Sequence, residues 1–217
     1  AGSPVPVLVG RILTAAGLRT VAVPSPDRPA DFFGAARAAL IDRDTDAMVV
    51  AVSHRSVLTT CLPFDRCTTI VLAGTRFEGT DGSEATFNHL VRMLLPASLK
   101  GVVVDSRQTA WRRVAGSLRS ARVVLSSAGA EMAAVREHVK AGHDAVVADR
   151  SGGGYRLMVG GEAIDLASLA HDGGRRIDCT PEDVALAAAA ALSMGYGPDV
   201  IRLGLAGVNL AEAGAAT

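Results

Sequence analysis

Five short runs rich in β-branched residues, separated by stretches of helical periodicity, limit this chain to few architectures. They are residues 20–23, 47–52, 69–73, 102–104 and 123–125. Each is continuously apolar rather than alternating, as strands covered on both faces are. Residues 7–16 place Leu8, Ile12 and Ala15 or Ala16 on one helical face. Asp31 can cap a helix over 32–40, and 85–95 carries Phe87, Leu90 and Leu94 at helical spacing. Strands alternating with helices predict βαβ units, hence an α/β fold with a mostly parallel sheet flanked by helices.

The texture changes after Asp144. Apolar runs at 145–148, 155–159 and 163–166 are separated by Ser151-Gly-Gly-Gly154 and Gly160-Gly161. Glycines supply the positive φ of tight turns, so a small β-hairpin or meander is expected in the second half. Thr180-Pro181-Glu182-Asp183 carries a cap hydroxyl, a proline for the first helical position and an acid three residues on. A helix therefore starts there and runs through Ala187–Ala191, whose small side chains let a backbone approach a sheet closely. Gly195 stops it before a shorter helix near 198–205. Residues 210–217 carry no core signal and are expected to fray.

With 217 residues and 49% hydrophobic side chains, the chain can bury a proper core, and it is read as one unit over 1–217. Its 22 basic and 22 acidic side chains cancel, and no basic cluster stands out, which argues against nucleic acid as a partner. No apolar run reaches the roughly 18 residues that cross a bilayer, and no secretion signal is legible. The expectation is a cytoplasmic protein without a membrane partner. Cys61, Cys67 and Cys179 form no C-x-x-C pair and are read as small buried hydrophobes. Arginines number 20 and lysines two, so any reaction that needs a lysine must use Lys100 or Lys140.

Several stretches in order resemble the central ATP-binding domain of the Mur ligases, particularly the Mur-ligase-like domain of cyanophycin synthetases. Arg11-Ile-Leu-Thr-Ala-Ala-Gly-Leu-Arg19 resembles the helix after that family's phosphate loop. Residues 35–50 resemble the segment leading to its magnesium-binding strand, and Leu62-Pro-Phe-Asp-Arg-Cys67 is similar to its G-x-x-F-D-x-C stretch. Glu137-His-Val-Lys-Ala-Gly-His143, the hairpin and residues 184–205 follow in the same order. The resemblance implies a P-loop-type sheet, with the family's third, C-terminal domain absent.

The resemblance also says where the chemistry would sit. Transfer of a γ-phosphoryl group to a carboxylate needs a lysine and backbone amides on the phosphates, and a hydroxyl and a carboxylate on magnesium. Where the phosphate loop belongs, the chain reads Ala1-Gly-Ser-Pro-Val-Pro-Val7: no lysine, and Pro4 and Pro6 lack N–H groups. Ala51 stands at the magnesium-binding glutamate, and Ser53-His-Arg-Ser56 lacks the glycine pair that follows it. Leu72-Ala-Gly-Thr-Arg-Phe-Glu-Gly79 has lost a histidine, with Phe77 or a neighbour instead. No lysine lies in 88–92 where the family's modified one belongs, and Cys179-Thr-Pro-Glu-Asp183 replaces an adenine-contacting H-N-x-x-N. Each lost donor costs about 100 to 1,000-fold in rate. No catalytic, cofactor-binding or metal-binding residue is therefore predicted.

Other constellations favour plain readings. Of His54, His89, His138, His143 and His171, the 138/143 pair falls on different faces of a continuous helix, which argues against a metal site. Ser53 and His54 are adjacent and would point apart on a strand. Asp42, Asp44 and Asp46 lack the glycine and closing glutamate of a calcium loop and read as a solvated turn. Lys100 and Lys140 read as solvated surface groups. Trp111 with Arg112 and Arg113 reads as a half-buried helix segment that could instead anchor a partner, and one of Phe32 and Phe33 should stay exposed.

The leading expectation is a degenerate, non-catalytic Mur-ligase-like module with a structural, oligomerisation or interaction role. Its partners would be another protein, an adjoining ligase domain or a second copy, and it would hold no cofactor. The alternative is part of an ATP-dependent acid–amino acid ligase completed by other domains or subunits, which would bring in ATP and magnesium. A third is a small-ligand module using the carboxyl ends of the strands.

Overall fold

The computed structural model describes residues 3–23, 29–52, 62, 64–73, 94–107, 122–128, 133–151, 154–159, 161–165 and 177–210. In chain order these give α1 (Val5–Ala15), β1 (Thr20–Val23), α2 (Pro29–Ile41), β2 (Ala47–Val50), β3 (Cys67–Leu72) and a 3-10 turn (Leu95–Ala97). Then come β4 (Ser98–Asp105), β5 (Arg122–Ala128), α3 (Ala133–Lys140), β6 (Ala145–Ser151), β7 (Gly154–Val159) and β8 (Glu162–Asp165). The last are β9 (Ile177–Cys179), α4 (Pro181–Met194), α5 (Pro198–Gly204) and β10 (Val208–Leu210).

The main sheet has six strands in the order β3-β4-β5-β6-β7-β8. β3 to β6 are parallel, and β7 and β8 return antiparallel as the expected meander. β1 pairs in parallel with β2, and β9 with β10, as two separate ribbons. The chain is thus α/β, with a mostly parallel sheet flanked by helices.

Helix α4 lies across the strands from β3 to β7, and α1 packs against both α4 and α5. Every residue of α4 from Val184 to Ser193 is buried. A helix that is apolar all round has to sit inside the molecule, and here it sits between sheet and α1. Thr180 and Asp183 form the capping box, with Asp183 N donating to Thr180 Oγ1 at 3.2 Å and Thr180 N to Asp183 Oδ2 at 3.0 Å. Gly195 closes the helix in the left-handed conformation, φ 98°. Close approach is needed twice. A Cβ on Gly101 would come within 2.7 Å of Ser193 Cβ, and one on Gly204 would run into the Ile12 backbone.

Several expectations need correction. Asp31 is not a cap: α2 starts two residues earlier at Pro29, whose fixed φ and missing N–H suit a first helical position. β4 covers eight residues and β5 seven, where only the valine cores at 102–104 and 123–125 stood out, because ladder pairing extends beyond the apolar segment. β2 stops at Val50 rather than 52, whereas β3 starts two residues before Thr69. β9 and β10 were not legible: three residues each, they are strands only because they pair with one another. Most of the 85–95 helix and residues 211–217 lie outside the described residues.

Candidate functional site

The carboxyl ends of parallel strands are where an open α/β sheet offers a ligand crevice. β4 ends there on Asp105, 3% exposed, immediately after three valines with no exposed surface. Arg107 turns back on it: Nη2 donates to Asp105 Oδ2 at 2.8 Å, Nε to Oδ1 at 3.1 Å and the backbone N to Oδ1 at 3.0 Å. The same guanidinium reaches Glu182 in the first turn of α4 at 3.5 Å. These contacts, led by Asp105, raise the Arg107 pKa above its ordinary value. Ser106, Ser126 and Ser127 are buried beside this pair, with Ser106 N bonded to Ser126 O at 2.8 Å.

This arrangement is internally neutralised. A bidentate arginine occupies the carboxylate, and the amides at the start of α4 are served by their own capping box. An arriving phosphate would meet Asp105, Glu182 and Asp183, so the field at this edge does not favour an anion. What the cluster does is fasten β4 to α4. Sequence reasoning passed over Asp105 and Arg107, although a carboxylate directly after three valines, with an arginine two residues on, is a readable sign of a buried ion pair.

A second feature is a cleft of about 770 Å³ between β2 and β3. Its walls are residues 46–52 and 66–73, its floor includes Ala190 and Met194 of α4, and Ser3, Val5, Pro6 and Val9 of α1 close one side. Arg66 and Lys100 line it where β3 and β4 begin. Its lining is mostly aliphatic.

Of the positions singled out by family resemblance, Pro6 and Ala51 line this cleft. Ala51 and Val52 follow β2 and are half-buried there, while Pro4 is the residue ahead of α1 and Pro6 sits in its first turn. Lys100 and Lys140 are both exposed, as expected, on β4 and at the end of α3. Asp183 is a capping residue, as expected. Residues 53–56, Phe77, 88–92, Trp111, Arg112, Arg113, His54, His89, His171 and Cys61 lie outside the described residues, as does the side chain of Phe32. Phe33 is 36% exposed.

Asp42, Asp44 and Asp46 do form a solvated turn. Asp42 accepts from Asp44 N at 2.9 Å and from Thr45 Oγ1 at 2.9 Å, while Arg19 bridges Asp44 at 2.7 Å and Asp46 at 3.0 Å. The guanidinium stands where a cation would. Asp46 is held below the usual carboxylate range by Arg19, and Asp42 by bonds from Asp44 and Thr45.

His138 and His143 are closer than a continuous helix would place them. α3 ends at Lys140, and Gly142 in the left-handed region, φ 82°, folds the chain back. The rings come to 4.8 Å between centroids, tilted by 32°, and His138 Nε2 lies 3.1 Å from Val123 O. Burial lowers the His138 pKa. Among the described residues no three His, Cys, Asp or Glu side chains gather as a metal-binding group. Neither Cys67 nor Cys179 is in a disulfide, and burial pushes their thiols up to about 11 and about 12. Among the described residues no helix is long and apolar enough to cross a membrane. No family model matches the chain, and no curated protein matches it.

Proposed function

We propose that this chain is a degenerate Mur-ligase-like domain that works without ATP chemistry, as a structural, oligomerisation or interaction module. One observation carries the reading. The space between the first turn of α1 and the end of β2 is lined by Ser3, Val5, Pro6, Ala51 and Val52. By resemblance, phosphate and magnesium would sit between those two segments, and phosphoryl transfer there needs cationic and anionic side chains. Among the described residues this wall is aliphatic apart from the Ser3 hydroxyl, and it offers a triphosphate no counter-charge to replace its water.

The interaction role is supported by α2. Leu40 and Ile41 at its end are 57% and 73% exposed, and Phe33 is also open to solvent. A partner that covers this end of the helix would remove apolar surface from water. The family assignment rests on the order of the motifs.

Titration of the protein with magnesium-ATP by calorimetry is the direct test. The expected outcome is no saturable heat at micromolar nucleotide, and specific micromolar affinity would overturn the proposal. The interaction role predicts that Leu40→Glu with Ile41→Glu shifts the sedimentation distribution towards smaller species, whereas unchanged sedimentation of an associated protein would exclude α2 from the contact.

A further inference from the structure

The cleft between β2 and β3 combines an aliphatic interior with a cationic rim. Its volume, about 770 Å³, is that of a small-molecule site, and such sites join mostly apolar walls to a few polar groups that fix orientation. β2, β3 and α4 contribute Val49, Val71, Ala190 and Met194 to its lining. Water against such walls gains few hydrogen bonds, so an aliphatic chain that displaces it is favoured.

Three of the described lining residues carry charge: Asp46, Arg66 and Lys100. Asp46 is already held by Arg19, whose Nε donates to Asp46 Oδ2 at 3.0 Å. Arg66 and Lys100 are exposed, and among the described residues neither is in an ion pair. β3 and β4 run parallel, with Cys67 opposite Ser98 and Thr69 opposite Gly101. Arg66, just ahead of β3, and Lys100, near the start of β4, therefore stand at the same end of adjacent strands. Two cations on one rim favour an anion there, and a guanidinium offers a carboxylate two parallel donors. Tyr196 follows the end of α4, where Ser193 Oγ donates to Thr69 Oγ1 at 3.0 Å, and adds a phenol hydroxyl to the lining.

The geometry points to an aliphatic monocarboxylate as the ligand of this cleft, its chain between β2 and β3 and its carboxylate on Arg66 and Lys100. A nucleotide would satisfy the rim and set polar groups against aliphatic walls, whereas a neutral hydrocarbon would leave both cations unanswered. A molecule with one charged end and an apolar body meets both demands. The inference goes beyond a structural or interaction role and does not depend on it, since magnesium-ATP and an apolar acid are read by separate titrations.

Calorimetric titration of the 217-residue chain with octanoate, decanoate and dodecanoate, all below micelle formation, tests it. Affinity should rise about tenfold for each two methylenes added, as burial of the chain requires. Dodecyltrimethylammonium, with the same tail and the opposite head charge, should bind about tenfold or more weakly than dodecanoate. Arg66→Glu with Lys100→Glu changes two exposed side chains and should abolish that preference. Methionine methyl signals in NMR place the ligand. Dodecanoate should shift Met48 and Met194, which line the cleft, and leave Met158 on β7 unmoved. The inference is overturned by no saturable binding, by equal affinity for the two head groups, by an unaltered preference in the double variant, or by shifts at Met158 as large as at Met48 and Met194.

Discussion

Ile12 and Gly204 set how closely α1 and α5 cross, since a side chain at 204 has no room above the Ile12 backbone. Gly204→Ala should cost about 1–3 kcal/mol through overpacking, read as a fall in thermal midpoint of about 2–4 °C per kcal/mol. Gly101 is softer, because the obstacle is the Ser193 side chain at the end of α4. Gly101→Ala should destabilise in the same way, and Gly101→Ala with Ser193→Gly should recover part of the loss in a double-mutant cycle. At Cys67 and Cys179 burial keeps the thiols protonated, with values pushed up to about 11 and about 12. Both should therefore alkylate far more slowly at pH 8 in the native protein than after denaturation, which site-resolved mass spectrometry checks. Cys179 is buried as the sequence reading expected, whereas Cys67 is only half-buried. A carboxylate after three valines hints at the hold of Arg107 on Asp105, but how deeply the pair is buried and its reach to Glu182 depend on what later segments place above it.

The start of α4 is the element whose sequence spoke most plainly. Threonine, proline and aspartate stand in fixed positions, and hydrogen bonds local to one turn satisfy the free amides whatever the rest of the chain does. Thr180→Ala should lower stability by about 1 kcal/mol in urea unfolding, with the helix otherwise intact. α3 shows the opposite case. Helical periodicity separates His138 from His143, and one left-handed glycine brings their rings together. The His138 pKa is lowered in the folded state, mainly by burial, so folding favours the neutral ring. That contribution is present above the unfolded value of about 6.5 and is lost as pH falls through the lower folded value. His138→Gln should accordingly flatten the decline in unfolding free energy between about pH 7 and pH 5. A slope equal to that of the wild type would assign the decline to other groups. Asp42 and Asp46 act lower on the scale: their depressed values add stability above the ordinary carboxylate range that is lost on further acidification.

At the scale of the molecule, sheet order matters most. Two parallel strands stand apart from six across an aliphatic cleft, and α1 and α4 span the division. The same cleft is lined by both Ala51 and Pro6, two positions that the sequence marked separately as lacking phosphate-transfer groups. Grafting one lysine at position 4 or one glutamate at 51 should therefore leave magnesium-ATP affinity undetectable by calorimetry, since groups that act together fail together. The class of the fold, the meander after Asp144 and the boundaries of α4 were determined by the sequence alone. Each rests on interactions within a few residues: periodicity of burial, turn glycines and capping hydrogen bonds. Strand order, the β9–β10 ribbon, the meeting of His138 with His143 and the Asp105–Arg107–Glu182 link were decided only by tertiary structure. They depend on which distant backbones come within hydrogen-bond reach, and a strand's apolar pattern is the same whichever neighbour it acquires.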